Sequence, residues 1–404
     1  MSAIEVIVRA SALQDERSLA RVKDDLLRRI EREGDLRIAE VEQPSSDRLA
    51  AILILTGGVE REALKIVAKL PSPVLLIAHP SYNSLPAALE ILARLRAEGG
   101  EGRILFGSPE RIAAGLKEEL ALSEAWERLR FSRIGLIGEP SDWLVASGVD
   151  HAFVKGCLSV ELVEIAIDEL VERVEHARVP KKEITAFVRQ AEVVEEPDQS
   201  DLRGAVAVYK GLRGLVDDYR LAACSVRCFD LLARIGNTGC YALSRLNDEG
   251  IPAGCEGDLQ SLFSMYSAFL LTGRPAFMGN IAAVDPADRI VEVAHCTCPL
   301  SLVNSYAIRS HFESGLGVGI SGKFPTGPCT LFRLGGERLD QLFVSEGMIE
   351  ESGVRNDLCR TQVRISMDDP VESLLSAPLG NHHIITFGHR RGMIEKFFSR
   401  HLGP

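Results

Sequence analysis

Through the first 130 residues, unbroken apolar runs alternate with amphipathic stretches. EVIVRA, AAILILTGG, PVLLIAH and RILFG read as strands, and residues 15–33, 60–70, 85–97 and 110–129 read as helices. Continuous apolar strands between helices predict a parallel sheet covered on both faces. The alternation restarts at Arg133 with RIGLIGEPSDWLVAS, followed by helices over 159–177 and 201–217. RLAACSVRCFDLL reads as a strand ending at Arg227 and Cys228. The polar stretch EVVEEPDQSDLRG before the second of those helices reads as a surface loop. Beyond residue 273 the period shortens. IVEVAHC, GLGVGISG, CTLFRLG, QLFVSEG, TQVRISM and HHIITFG are short strands between Gly, Pro and Asp turns, and a helix over 392–401 closes the chain. The pattern predicts two Rossmann-like parallel-sheet α/β domains (1–130 and 131–272) and a C-terminal antiparallel, β-rich, barrel-like domain (273–404).

Composition narrows the partners. With 46% hydrophobic residues the 404-residue chain can fill sizeable cores, and a formal net charge of −11 argues against nucleic acid or an anionic membrane as its main partner. The start MSAIEVIVRAS lacks the basic, apolar character of a secretory leader, and no run of 18 apolar residues predicts a membrane span. Nine scattered cysteines predict reduced thiols and a cytoplasmic location. Cys224/Cys228 and Cys296/Cys298 lack zinc-knuckle spacing and read as small buried hydrophobes.

Candidate chemistry gathers in two segments far apart in sequence. In CEGDLQSLFSMYSAFLLTGRPAFMGN, Glu256 and Asp258 open an apolar helical run, where each is either a capping acid or a functional carboxylate. In GNHHIITFGH, His382 and His383 head a strand, so their side chains take opposite faces, and His389 follows seven residues after His382. His295 ends another strand. Ligands of open α/β sheets lie beyond the carboxyl ends of the strands. That places residues 139–143, with Trp143, beside 227–230, with Arg227, and 255–258 on one rim. The glycine-rich segment 313–328 reads as a hairpin whose flanking Glu313 and Lys323 suit a polyhydroxyl or anionic substrate. Phosphate-loop, dinucleotide and nucleophile-elbow motifs are missing from their required contexts.

Taken together, the two segments resemble the L-fucose isomerase and L-arabinose isomerase superfamily, nearer its fucose branch. The family's metal-binding glutamate opens a helix of the form E-x-D-x-L, followed by L-T-G and then a metal-binding aspartate. Glu256, Asp258, Leu259, Leu271-Thr272-Gly273 and position 280 keep that layout. Asn381, His382, Thr386, Gly388 and His389 fit the family's N-H-x-x-x-T-x-G-H segment, whose histidine binds metal. The resemblance implies an aldose–ketose isomerase working through an ene-diol on an open-chain sugar, with a divalent ion, manganese above all. It implies Glu256, Asn280 and His382 as metal ligands, and Glu256 with Asp258 for proton transfer. Substrate would meet Trp143, Arg227, Lys323, His383 and His389. It also implies a homo-oligomer with active sites near subunit interfaces. One departure stands out: the family's second acid falls on Asn280, which brings no charge and cannot act as a base. Asp258, Asp285 and Glu313 are the substitutes the sequence offers. The same scaffold also serves two rival readings, a non-catalytic sugar-binding or regulatory protein and a metal-dependent lyase or aldolase.

Overall fold

A computed structural model describes residues 3–45 and 48–403, and the chain divides into two compact units, Met1–Glu124 and Ala125–Pro404. The first unit holds strands β1 (Ile4–Arg9), β2 (Ile38–Glu40), β3 (Ala50–Ile54), β4 (Val74–Ala78) and β5 (Gly102–Phe106). All are parallel, in the order β2-β1-β3-β4-β5. Along β3, Ala51 and Leu53 join one apolar cluster while Ile52 and Ile54 join another. Strand alternation feeds a core on each face, which is why the run is apolar without a break. The helix Glu16–Gly34 opens on Asp15, whose carboxylate caps it by accepting the Ser18 N–H at 2.9 Å.

The second unit starts its sheets with β6 (Arg133–Ile137), β7 (Glu161–Ile165), β8 (Val193–Val194), β9 (Ala223–Val226) and β10 (Ala253–Cys255). Four of these form a parallel sheet in the order β10-β9-β6-β7. Ile137, Val226 and Cys255 lie in register, so the chain leaves three strands at the same edge. Residues 138, 227 and 256 therefore emerge together, as the sequence predicts.

Three stretches differ from expectation. Residues 159–177 are not one helix but β7 followed by the helix Ile167–Glu175. β7 is an edge strand largely open to solvent, so it lacks the apolar run that marks the inner strands. RLAACSVRCFDLL breaks after four strand residues into the helix Cys228–Ile235, which closes on Gly236 at φ 64°. The polar stretch 192–204 contains β8 and opens the helix Gln199–Tyr219 through a capping box of Asp198 and Asp201.

The remaining strands are β11 (Phe277–Asp285), β12 (Ile290–His295), β13 (Ser305–Arg309), β14 (Gly319–Lys323), β15 (Gly327–Gly335), β16 (Gln341–Ser352), β17 (Thr361–Met367) and β18 (His382–Phe387). Six of them close into an antiparallel barrel, β11-β12-β17-β16-β15-β18, while β13 and β14 pair with β8 in a small sheet. Phe277, Val293, Leu331, Val363 and Ile385 share one packed core, so the barrel is filled by side chains. Asn280 on β11 stands opposite His382 on one side and Ala294 on the other. The helix Leu259–Thr272 is buried along almost its whole length, which explains why it shows no polar face.

Candidate active site

Glu256 lies one residue past β10 in the left-handed region, at φ 64°, and Gly257 follows at φ 72°. A Cβ on Gly257 would stand 2.7 Å from Pro140 Cα, so only glycine lets the 139–143 loop press this close. The Ser141 N–H donates to the Glu256 carbonyl at 2.8 Å. Arg227 braces the same loop, donating to the Pro140 carbonyl at 2.8 Å and to Asp142 and Asp230 at 3.2 and 3.0 Å. The loop carries Trp143, whose Nε1–H donates to Glu256 Oε2 at 2.6 Å and whose ring meets Phe229 edge-on at 4.9 Å.

Asp258 faces the other way. It caps the helix Leu259–Thr272 by accepting from the Ser261 N–H and hydroxyl, both at 2.8 Å. Arg333, fully buried, donates to it at 3.3 Å and also to Ser261, Gln260, Ser147 and the His382 carbonyl. The fourth donor is His382 Nδ1, 3.0 Å from Asp258 Oδ2. A carboxylate here only accepts, so Nδ1 carries a proton, and Nε2 stands 3.7 Å from Glu256 Oε1. Burial works against a charged His382, but the hydrogen bonds and charges of Asp258 and Glu256 outweigh it and raise its pKa to about 9.

His295, at the end of β12, sits 5.5 Å from the His382 ring. Burial pushes it down to about 3, so it is neutral and able to ligate. Neither of its ring nitrogens has a hydrogen-bond partner, and His382 Nε2 has none either. Each such orphan costs roughly 1–3 kcal/mol and calls for an explanation. The donor atoms of His295, Glu256 and Cys255 lie within 4.8 Å of one another. An ion about 2.1 Å from its ligands spans donors up to about 4.2 Å apart, so Glu256 and His382 fit a shared cation. The Asp258–His382 contact is the arrangement that fixes the ring of a metal-bound histidine.

Glu256, His295 and Cys255 line a small cavity of about 30 Å³. Asn280 lines it too, with its Oδ1 accepting from Asn381 Nδ2 at 2.9 Å. Phe229, His311 and Glu313 form further wall, and neither Lys nor Arg is among the lining residues. Cys228, Cys240, Cys255, Cys296 and Cys359 line it as well, all free. They come from separate elements, so no sequence spacing announces the group.

The structure thus brings together Glu256, Asn280, His382 and Trp143. The other expected site residues take different places. Asp258 orients His382 instead of facing the cavity. Arg227 holds the Trp143 loop from a neighbouring crevice. Strand alternation turns His383 to the opposite face, buried and edge-on to Phe343 at 5.3 Å. Lys323 pairs with Glu192 at 2.9 Å on the surface. His389 stands 3.3 Å from Glu346 in an outer cluster with Asp368.

No family model matches the chain. It is similar to two curated proteins, each named sulfoquinovose isomerase. One, from Clostridium sp. (strain MSTE9), is 28% identical over 278 residues, which cover 66% of this chain and 62% of that protein. The other, from Alkalicoccus urumqiensis, is 24% identical over 310 residues, or 72% and 68% of the two chains. The match thus spans about three fifths of the length of the first relative.

Proposed function

We propose that this cavity is the active site of a divalent-metal-dependent aldose–ketose isomerase acting on an open-chain sugar. The observation that carries the reading is the trio of buried, unpartnered imidazole nitrogens on His295 and His382, gathered around the Glu256 carboxylate. The likeness to two sugar isomerases and the resemblance to the L-fucose isomerase superfamily point the same way.

Glu256, His382 and His295 would hold the cation, with Asn280 beside them. One carboxylate and two imidazoles suit manganese and its first-row neighbours. When bound, the ion supplies Lewis-acid stabilisation of the charge that develops on O1 and O2. Asp258 keeps His382 Nε2 aimed at the Glu256 carboxylate. Trp143 holds Glu256 through its Nε1–H and offers a half-exposed ring at the mouth for the sugar. Phe229 and the thiol wall exclude water from the reacting carbons.

The proposal includes a homo-oligomer, since Trp143 and Val145 are left exposed on the loop beside Glu256. It also includes a reducing compartment, in keeping with nine free thiols. Because no cation lines the cavity, a sulfonate group would have to be met outside it, and the reading commits to an aldose without requiring the sulfonate.

The test is a panel of aldohexoses, including 6-deoxy-6-sulfoglucose, incubated with protein and Mn²⁺ and followed by NMR. A ketose that disappears when metal is chelated supports the proposal. Retro-aldol fragments would move the assignment to a lyase, and binding without turnover would move it to a sugar-binding protein.

A further inference from the structure

Moving a carbon-bound proton between C2 and C1 requires a titrating group at the substrate, and Asn280 cannot supply one. The neighbouring carboxylates can be compared directly. Asp258 is fully buried and already accepts from Ser261, Arg333 and His382. Asp285 accepts from the Ala287 and Asp288 N–H groups in a turn, five residues along β11 from Asn280, or about 17 Å. Glu256 is tied to Trp143 and faces His382.

Glu313 differs from all three. It lines the cavity with Glu256 and Asn280, and it makes no hydrogen bond or ion pair among the described residues. Partial burial and the charge of Glu256 raise its pKa, while its side chain stays open to solvent at the cavity wall. The connection from β13 to β14 that carries it is fastened at several points. The His311 N–H donates to the Leu316 carbonyl at 3.0 Å, and the Gly315 N–H to the His311 carbonyl at 2.9 Å. Thr238 donates to the Val318 carbonyl. Gly317 lies so close to Asn237 that a Cβ would come within 2.8 Å of its side-chain oxygen. A loop pinned this way holds the Glu313 backbone beside the cavity wall, within reach of a substrate there.

We propose that Glu313 is a catalytic residue of this site, the carboxylate that carries the proton between C2 and C1 in place of the acid absent at position 280. Its carboxylate takes the proton from C2 of the aldose. The C2–H electron pair becomes the C1=C2 bond, and the carbonyl pair moves onto O1. The carboxylic acid, exposed and exchanging its proton with solvent, then gives a proton to C1 while the O2 proton passes to O1, leaving a carbonyl at C2. Atoms and charge balance, and no oxidant or reductant is involved.

The inference rests on the isomerase reading, and the test separates the two. Wild type, Glu313→Gln and Glu313→Asp, each loaded with Mn²⁺, are incubated in D₂O with the aldohexose panel. Deuterium entering C1 or C2 is followed by NMR, and Mn²⁺ affinity is measured by EPR titration. Exchange by Glu313→Gln is expected to fall at least hundredfold. Glu313→Asp should retain part of the rate, with Mn²⁺ affinity within twofold of wild type in both variants. Glu313→Gln exchanging within tenfold of wild type overturns this assignment alone. So does a Mn²⁺ affinity that falls in step with the rate, because it marks the loop as merely structural. A wild type that exchanges deuterium into no sugar overturns the isomerase reading, and this assignment with it.

Discussion

Replacing Asp258 with Asn keeps the shape of the side chain and removes its buried negative charge. Four donors converge on Asp258: the Ser261 N–H and hydroxyl, Arg333 Nη1 and His382 Nδ1. An amide offers one accepting oxygen and turns a pair of donors toward the rest. Removing one partner of a buried ion pair costs about 3–5 kcal/mol, chiefly because the other charge is stranded. Arg333 retains Gln260, Ser147 and the His382 carbonyl, which places the loss near about 3 kcal/mol. A second effect is separate from stability. With its Nδ1 partner gone, His382 is no longer aimed, and loss of such an orienting bond typically costs 10–100-fold in metal affinity. Urea unfolding measures the first effect and EPR titration with Mn²⁺ the second. Ser261→Ala is the control: it removes two hydroxyl bonds, one to Asp258 and one from Arg333, costs about 2 kcal/mol and leaves Mn²⁺ affinity alone. If Asp258→Asn loses less than about 1 kcal/mol and binds Mn²⁺ like wild type, the orienting role of Asp258 is refuted.

The remaining predictions draw on other parts of the second unit. Gly257→Ala, at φ 72° and against Pro140, should cost about 3 kcal/mol or more in urea unfolding. Gly273→Ala, at φ 67° but in open space, should cost only about 1 kcal/mol. Trp143→Phe preserves the ring against Phe229 but deletes the bond to Glu256, and Mn²⁺ affinity should fall about tenfold with the circular dichroism unchanged. His401 stacks on Trp126 at 4.3 Å, and burial, with Arg400 and Arg130 nearby, pushes it down to about 4. The unfolded chain binds that proton near pH 6.5, so its contribution is present above 6.5 and lost as pH falls toward 4. Between pH 7 and 4.5 the wild type should lose about 1–2 kcal/mol more than His401→Phe, after discounting for solvent screening.

How much of this was legible beforehand depended on whether the signal was local. The unbroken runs of β3 and β4 announced a doubly covered sheet, and the Gly- and Pro-bounded strands after residue 273 announced the barrel. β7 did not, because an edge strand with an exposed face carries no apolar run, and ELVEI reads equally well as a helical turn. Glu256 and His382 stood out by position at a helix start and a strand start. Asp258 sits two residues from Glu256, but its capping geometry turns it toward Arg333, and spacing alone could not separate the two acids. Lys323 and His389 fell away because side-chain chemistry says nothing of where a strand ends up. His295 was visible only as a strand-end histidine, and the five cavity thiols were hidden, for the converse reason: only the closed barrel and the parallel sheet edge together bring β10, β12 and the helix Cys228–Ile235 to one wall.

The central claim is that Glu256, His295 and His382 form a divalent-metal centre. A crystal soaked in Mn²⁺, with anomalous scattering recorded at the manganese edge, tests it most directly. The prediction is one peak roughly 2.0–2.3 Å from a Glu256 oxygen, His382 Nε2 and a His295 ring nitrogen. A peak confined to the outer cluster of Glu346, Asp368 and His389, or no peak in the cavity at millimolar Mn²⁺, would contradict it.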